Sequence, residues 1–235
     1  MEEKRTEELQ EKDLASDPFT RIIQGERPEE LLESAFPFME LMSRYRCAMM
    51  EVETKFKVLN EQFSLEHDRN RIESIKTRLK SMDSIVEKLH RRKLPITLLS
   101  IEENLNDVAG VRVICSFVDD IYVLVDCLLR QDDVTLLQVK DYIKHPKANG
   151  YRSLHLIISI PIFLQEETRH MKVEVQLRTI AMDFWASLEH QMRYKKDIDP
   201  AGAAKLAADL GECADISAML DQRMQDIKNY IEGNG

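Results

Sequence analysis

The sequence predicts an α/β fold in which one mixed sheet of five strands is flanked along the chain by long helices. Segments of alternating apolar and polar residues, typical of strands with one buried face, recur between residues 71 and 178. Helical periodicity separates several of them, which favours a mixed sheet over a sandwich or a bundle. Toward either end of the chain, apolar residues at steps of three and four predict long amphipathic helices.

The first long helix is predicted over residues 38–70, after a polar N-terminal segment of residues 1–37. Its apolar residues recur from Phe38 to Phe63, and Pro37 suits a first helical turn. We expect the helix to end near His67. The His67-Asp68 pair resembles a metal-binding pair of phosphohydrolases, but without a second acidic pair nearby it is better interpreted as a helix end.

Five strands and three shorter helices are predicted between the two long helices. In the last strand, Met171, Val173, Val175 and Leu177 alternate with Lys172, Glu174, Gln176 and Arg178, so one face is apolar and the other polar. The predicted strands are residues 71–81, 111–117, 134–142, 153–160 and 171–178, and the predicted helices are 81–92, 119–130 and 181–194.

Cations are concentrated on the predicted polar faces. Lys76, Arg78 and Lys80 share one strand face, where like charges repel each other unless an anion lies among them. Ser81 is expected to cap the helix that follows, and a helix N-terminus next to cations is a potential phosphate site. A solvated amphipathic element explains this segment equally well. The helix carries Ser84, Lys88 and Arg91 on or near one face.

Two carboxylates lie among these cations, Asp107 at the start of the second strand and Glu174 in the fifth. An Asp at that position can cap a turn, or it can hold Mg²⁺ on nucleotide phosphates. Together with Arg112 and His155 on polar strand faces, the composition is that of a Mg²⁺-dependent nucleotide site.

The segment from Lys140 to His155 combines four cations with Tyr151 and an Asn149-Gly150 turn signal. Such a loop can hold a flat, negatively charged ligand. The alternative interpretation is an ordinary basic hairpin loop beside a solvated sheet face.

Overall charge and cysteine content exclude some classes of protein. The net charge of −9 argues against a surface that binds nucleic acid or anionic membrane throughout. The four cysteines are far apart, and three lie in apolar periodic segments where reduced, buried thiols are expected, which indicates the cytoplasm. We expect no signal peptide and no membrane span.

A final helix is predicted within residues 197–235, after Pro200. It carries an apolar seam that exceeds what a monomer of this size needs, so we expect it to mediate oligomerisation. The seam consists of Leu206, Leu210, Cys213, Ser217, Leu220, Met224, Ile227 and Ile231.

Three motifs resemble those of the small alarmone synthetases, which are single-domain relatives of the long Rel/Spo enzymes. They are Asp107-Val-Ala-Gly-Val-Arg112, Lys147-Ala-Asn-Gly-Tyr-Arg-Ser-Leu-His155 and Glu174-Val-Gln-Leu-Arg178. The likeness extends from about Arg71 to Lys196 and is closer to RelP than to RelQ. It implies a nucleotidyltransferase-like fold, a (p)ppGpp synthetase core over residues 71–196 and no hydrolase activity.

The resemblance also implies a reaction and roles for individual residues. The β,γ-pyrophosphate of ATP would move to the ribose 3′-hydroxyl of GTP or GDP. Asp107 would hold Mg²⁺, and Glu174 would support the metal or act as general base. Arg78 and Arg112 would sandwich adenine, Lys80, Ser84, Lys88 and Arg91 would hold the ATP phosphates, Tyr151 would stack on guanine, and Lys140, Lys147, Asn149, His155 and Gln176 would position the acceptor. Similar family members are homotetramers, and neither membrane nor nucleic acid is expected to be required.

Two rival functions remain open from the residues alone. The basic loop with Tyr142 and Tyr151 is also suited to stacking single-stranded RNA without catalysis. Another nucleotidyl- or phosphotransferase on the same scaffold is the second alternative.

Overall fold

Six helices and five strands form the described part of the chain, residues 28–67, 69–193 and 200–233 of the computed structural model. The chain divides after Ser43 into two compact units, and the second, Arg44–Gly235, contains the whole sheet. The predicted N-terminal segment lies outside the described residues as far as residue 27. In chain order the elements are helix α1 (Pro28–His67), strand β1 (Ile72–Leu79), α2 (Met82–Arg91), α3 (Leu98–Asn104), β2 (Ala109–Cys115), α4 (Val118–Leu129), β3 (Thr135–Asp141), β4 (Leu154–Phe163), β5 (Thr168–Thr179), α5 (Ile180–Arg193) and α6 (Pro200–Gly233).

The five strands form one mixed sheet in the order β1-β2-β5-β4-β3, which confirms the predicted fold class. Strands β2 and β5 are parallel, and the other neighbouring pairs are antiparallel. The register aligns one polar residue from each strand in a row across the sheet, and side-chain alternation places the row on one face. The row consists of Lys76, Arg112, Gln176, His155 and Lys140.

The alternate residues of the central strands are apolar and buried. Helix α4 packs against β2 and β5, and its Ile121, Leu124 and Leu128 are fully buried. Each large aliphatic side chain buried in this way contributes roughly 1.5 to 3 kcal/mol. Because a one-residue slip would move these apolar side chains to the other face, their burial fixes the strand register and with it the alignment of the polar row. The strands contribute Val111, Val113, Leu156, Ile158, Ile160, Met171, Val173, Val175 and Leu177.

Helix α1 begins earlier than predicted. Pro37 lies inside the helix, and Pro28 takes the first position, where a missing N–H is harmless. The expectation that Pro37 starts the helix is wrong because apolar periodicity marks the side chains that need burial and not the limits of the backbone helix. The predicted end at His67 is confirmed, and Asp68 lies outside the described residues.

Helix α2 follows the prediction closely. Ser81 is its N-cap, and the Ser81 side chain accepts a hydrogen bond from the Ser84 backbone N–H. Its buried residues, Ile85 and Leu89, are four positions apart on one face. Lys88, three positions after Ile85, is half-buried beside this face.

Two expectations are corrected. The second strand was predicted to extend to Phe117, but β2 ends at Cys115, because the chain turns there into α4. Phe117 is half-buried, and the guanidinium of Arg69 stacks on its ring, 5.2 Å from the centroid. All four cysteines are free thiols, but only Cys115 is fully buried, whereas Cys213 is exposed. Their apolar sequence neighbours do not ensure burial, because an apolar helix face can itself remain exposed.

Helix α6 shows such an exposed face. Leu210 and Ala214 pack against Trp185 of α5, whose indole N–H donates to the Leu210 carbonyl at 2.9 Å. Leu206 also packs against this cluster, but the later part of the predicted seam is largely exposed: Leu220 is 53% exposed and Ile231 is 65% exposed. Within the described residues, no helix is both long and apolar enough to cross a bilayer.

Candidate active site

The polar face of β1, β2 and β5 opens into a cavity of about 360 Å³. A second polar row runs beside the first, because Arg78 pairs with Gly110 and Gly110 pairs with Glu174. The glycine leaves space between the arginine and the carboxylate, since no side chain projects from the middle strand of this row. The cavity is lined by Lys76, Thr77, Arg78, Lys80, Asp107, Gly110, Val111, Arg112, Glu174 and Gln176.

Asp107 lies in the loop before β2 and is held by two lysines. Oδ2 accepts hydrogen bonds from Lys80 Nζ at 2.7 Å and from Lys88 Nζ at 2.5 Å. Burial by itself would raise the pKa of Asp107, but the two ammonium groups outweigh burial and hold the pKa below its ordinary value. Asp107 is therefore a carboxylate at neutral pH.

The other carboxylate oxygen of Asp107 is ready for a ligand. Oδ1 is buried and has no hydrogen-bond partner, which is costly unless something binds there. The described residues contain no group of three or more His, Cys, Asp or Glu side chains that could hold a metal ion. A cation bound at Asp107 would thus need further oxygen ligands from phosphates and water, as Mg²⁺ commonly has in nucleotide sites. The donor set fits that ion.

Glu174 is the second carboxylate of the cavity. Its Oε1 lies 3.3 Å from His155 Nδ1, and its Oε2 accepts a hydrogen bond from Gln176 Nε2 at 3.0 Å. Burial would raise the pKa of Glu174, but His155 and Gln176 overcome this effect and lower the pKa below its ordinary value. The charge of Asp107 opposes them, so the two carboxylates are close enough to interact.

The predicted ATP-binding residues surround Asp107, with two exceptions at the margin. Arg78, Lys80 and Arg112 line the cavity directly, and Lys88 reaches it through Asp107. The Ser84 hydroxyl accepts a hydrogen bond from the Ser81 hydroxyl, and Arg91 is exposed at the last residue of α2. The structure thus brings four of the six residues together and leaves Ser84 and Arg91 beside the cavity.

The predicted acceptor residues gather around Tyr151. Its hydroxyl lies 2.8 Å from His155 Nε2, and the Lys147 ammonium lies 4.8 Å from the centroid of its ring. Asn149 Oδ1 accepts from the Tyr151 backbone N–H at 3.2 Å. Lys140 lies on β3, paired with His155 in the register. Gln176 pairs with His155 on the other side, in the same polar row of the sheet. All six predicted acceptor residues therefore lie in one region.

The sequence predicts Tyr151 at the edge of a loop, but the structure constrains this side chain more tightly than that position implies. The half-buried ring packs against the cluster of Trp185, Leu210 and Ala214, and the hydroxyl accepts a hydrogen bond from Arg178 Nη2 at 2.6 Å. The loop adopts this position because Gly150 takes a φ of 85° and lies against α6. Sequence patterns do not show this packing, since it depends on a helix about 60 positions further along the chain.

Sequence reasoning assigned no role to Arg178 or Asp183. Arg178 is buried and links Tyr151, Gln176 and Asp183, and Asp183 binds three cations from three strands. Arg178 belongs to the third motif and lies on the polar face of its strand, so the sequence could have indicated it as a site residue. Asp183 gives no such signal, because an acidic residue in a first helical turn is common.

Comparisons with known proteins agree with this geometry. Residues 77–199 match the model of the region found in RelA / SpoT proteins. GTP pyrophosphokinase YwaC of Bacillus subtilis, of the RelP type, is 46% identical over 80% of this chain and 89% of the relative. GTP pyrophosphokinase YjbM of the same organism is 35% identical over 80% of this chain and 87% of the relative, so the predicted closeness to RelP is confirmed.

A solved structure shares the fold over nearly its whole length. The small alarmone synthetase 1 from Bacillus subtilis, bound to its product pppGpp, superposes with a TM-score of 0.74 and 34% identity, covering 83% of this chain and 98% of that one. The likeness therefore extends over most of the chain and is not limited to a shared motif. The chain belongs to the RelA/SpoT family, among its small alarmone synthetases.

Proposed function

We propose that the protein is a GTP pyrophosphokinase, which transfers the β,γ-pyrophosphate of ATP to the ribose 3′-hydroxyl of GTP or GDP and makes pppGpp or ppGpp. One observation carries the proposal: two ionised carboxylates, Asp107 and Glu174, share a cavity with arginines and lysines from two strands and a helix. Relatives that cover most of the chain have this activity in their names, and a structural neighbour binds pppGpp.

On the donor side, the cations are suited to a triphosphate. Lys80 and Lys88 share one oxygen of Asp107, so two positive charges face a single negative charge. ATP phosphates can compete for these ammonium groups, which is how charge neutralisation assists phosphoryl transfer. Arg78 and Arg112, on adjacent strands, both line the cavity, and we assign them to stack on an adenine ring, as guanidinium groups do on flat aromatic faces.

We assign Glu174, which lines the cavity, to act on the acceptor hydroxyl. The 3′-oxygen attacks the β-phosphorus of ATP, the bond between that phosphorus and the α,β-bridging oxygen breaks, and AMP leaves. The proton of the hydroxyl passes to the Glu174 carboxylate, which is ionised because its pKa is lowered. His155, in contact with both Glu174 and Tyr151, orients the carboxylate toward the acceptor side.

Mg²⁺ is the cofactor we propose, with Asp107 as its principal ligand and Glu174 in support. When bound, it supplies charge neutralisation at the phosphates of ATP. The buried Asp107 Oδ1 without a hydrogen-bond partner supports this assignment.

Homotetramer formation is proposed on the exposed apolar surface of α5 and α6. An apolar groove of about 670 Å³ lies between these helices, and its walls include Phe184, Ile216 and Leu220. An apolar surface of this extent typically marks a protein interface. We accordingly assign residues 71–196 as the catalytic core and residues 197–235, which include α6, as the assembly segment. We place this bacterial-type synthetase in the cytoplasm, where its nucleotide substrates are found.

A non-catalytic RNA-binding module is not supported, since the relatives are named for nucleotide chemistry. The deciding experiment incubates the protein with ATP, Mg²⁺ and either GTP or GDP and identifies the products by mass spectrometry. We expect a guanine nucleotide carrying two additional phosphates together with AMP, and neither product when Mg²⁺ or the acceptor is omitted. If both nucleotides bind but no such product forms, the proposed function is wrong.

A further inference from the structure

Asp183 joins the two halves of the cavity. It lies in the first turn of α5, immediately after β5, and its side chain is 11% exposed. Its Oδ1 accepts hydrogen bonds from Arg178 Nη1 at 3.2 Å and from Arg112 Nη1 at 3.4 Å. Its Oδ2 accepts one from Lys76 Nζ at 2.9 Å. One carboxylate thus serves cations from β1, β2 and β5.

The two arginines serve different nucleotides. Arg112 lines the cavity on the donor side, next to Arg78. Arg178 lies behind the acceptor side, where Nη2 donates to the Tyr151 hydroxyl at 2.6 Å and to Gln176 Oε1 at 3.1 Å. A shift of Asp183 would therefore be transmitted to both halves.

The arginines need this carboxylate because they repel each other. Burial and then the charge of Arg178 lower the pKa of Arg112, and Asp183 opposes both effects. The Nε atoms of both arginines are buried without hydrogen-bond partners, so neither guanidinium is fixed at that end. Within residues 28–67, 69–193 and 200–233, no other carboxylate forms an ion pair with Arg112 or Arg178.

We propose that Asp183 is a positioning residue that sets Arg112 for the donor nucleotide and, through Arg178, Tyr151 for the acceptor nucleotide. The assignment of each arginine to a nucleotide rests on the proposed function. Asp183 contacts no reacting atom in this arrangement, so its substitution should change nucleotide affinity more than the rate of the chemical step.

The test compares Asp183→Asn, which keeps the shape but removes the charge, with wild type. Dissociation constants for a non-hydrolysable ATP analogue and for GTP are measured separately by calorimetry, and KM and kcat by steady-state assay. Replacing a charged acceptor by a neutral one should weaken each nucleotide by about fivefold to tenfold. The kcat should change by less than about threefold, since positioning acts mainly on binding here.

Three further variants separate positioning from a structural role. Arg112→Gln should weaken only the ATP analogue, and Arg178→Gln should weaken only GTP. Asp133→Asn removes a carboxylate that binds Lys55 outside the cavity, and it should leave both dissociation constants unchanged.

Two results would overturn the proposal. One is a lowered melting temperature of Asp183→Asn with unchanged dissociation constants, and the other is weakened binding of one nucleotide only. If Asp183→Asn does not fold, Asp183→Glu decides, because moving the charge by one methylene should still weaken both nucleotides, and unchanged binding would contradict positioning. Absence of pyrophosphate transfer in the wild type would count against the proposed function, while the binding measurements would still test Asp183.

Discussion

The donor and acceptor halves of the cavity are built in different ways. On the donor side, Arg78 and Arg112 project from paired strands, and Lys88 projects from a capped helix. On the acceptor side, Asn149 and Tyr151 belong to the loop between β3 and β4. Strand pairing fixes the first set, whereas the loop depends on side-chain contacts with α5 and α6.

This difference predicts how each half of the cavity should respond to amino-acid substitutions. The donor cations already bind an anion, because Lys80 and Lys88 share Asp107, so substitutions there act through charge. The acceptor loop is held by shape, since Gly150 lies against Ala214 and the Tyr151 ring lies against the Trp185 cluster. Substitutions in the loop should act through geometry and should leave ATP binding largely intact.

The largest effect is expected for the carboxylates that both halves share. Asp107→Asn and Glu174→Gln should each lower turnover by at least about a hundredfold, the scale of lost acid–base or electrostatic catalysis. Circular dichroism should show an intact fold, because both changes conserve shape. Glu167→Gln, which removes a carboxylate that binds Arg44 and Arg169, is the matched control. Near-normal turnover in either carboxylate variant would show that the cavity is not the reaction centre.

The next largest effect is expected when the acceptor half loses the aromatic ring of Tyr151. Tyr151→Ala should weaken the guanine nucleotide by about fivefold to 150-fold, because a base stacked on an aromatic ring is worth roughly 1 to 3 kcal/mol. Binding of the ATP analogue, measured by calorimetry, should be nearly unchanged. Equal weakening of both nucleotides would mean that Tyr151 is part of the packing and not of the acceptor site.

The hydroxyl group adds a smaller contribution than the ring. From stacking alone, Tyr151→Phe is expected to retain most of the binding. The structure sharpens this expectation, since the hydroxyl bonds to Arg178 and His155 and holds the ring in place. Loss of a hydrogen bond worth about 0.5 to 1.5 kcal/mol predicts a reduction of about twofold to tenfold. Wild-type affinity in Tyr151→Phe would show that the ring needs no such support.

The loop's contact with α6 provides a fourth test. A Cβ at position 150 would lie 2.4 Å from the Ala214 Cβ, and the φ of 85° is itself unfavourable for a side chain. Gly150→Ala should therefore lower the melting temperature and weaken the guanine nucleotide severalfold, with the φ alone costing about 1 to 2 kcal/mol. Combining it with Ala214→Gly should restore only the part caused by the clash. Full restoration would mean that the backbone angle is not constrained.

The smallest effect on nucleotide binding is expected for the exposed seam of α6. Ile227 is 53% exposed and contacts neither half of the cavity, so Ile227→Glu should leave the intrinsic nucleotide sites intact. A charge placed in an apolar interface opposes assembly, and light scattering should detect a smaller species. An unchanged subunit count would show that this part of the seam lies outside the interface.

Truncation after Pro200 should also give a smaller species by light scattering. It is a less specific test than Ile227→Glu, because it also removes Leu210 and Ala214, which support the Tyr151 loop.

Local sequence patterns predicted the elements of this fold, except the short helix α3 at Leu98–Asn104, but they did not predict how the elements are arranged. The alternation from Met171 to Arg178 and the Ser81 cap were sufficient for one strand and one helix start. The strand order was not predictable from alternation, because a periodic strand carries no information about its neighbours. The start of α1 at Pro28 was missed for a related reason, since the apolar period that begins at Phe38 marks side chains to be buried and not the first residue of the backbone helix.

For the site, the motifs identified which residues matter, and the structure showed how they are held. Lys80 and Lys88 were predicted to bind phosphate, but their shared contact with Asp107 forms only when the folded chain brings α2 to the loop before β2. Asp183 was not predicted, because its role comes from three strands that meet only in the folded sheet.

Position-specific labelling of ATP tests the central claim most directly. The protein is incubated with Mg²⁺, GTP and ATP labelled at the α, β or γ phosphorus, and the nucleotides are separated by chromatography. Pyrophosphate transfer predicts that the β and γ labels move together to the guanine nucleotide while the α label remains in AMP. Movement of the γ label alone, with ADP as the second product, would contradict the account and show a simple phosphotransferase on the same scaffold.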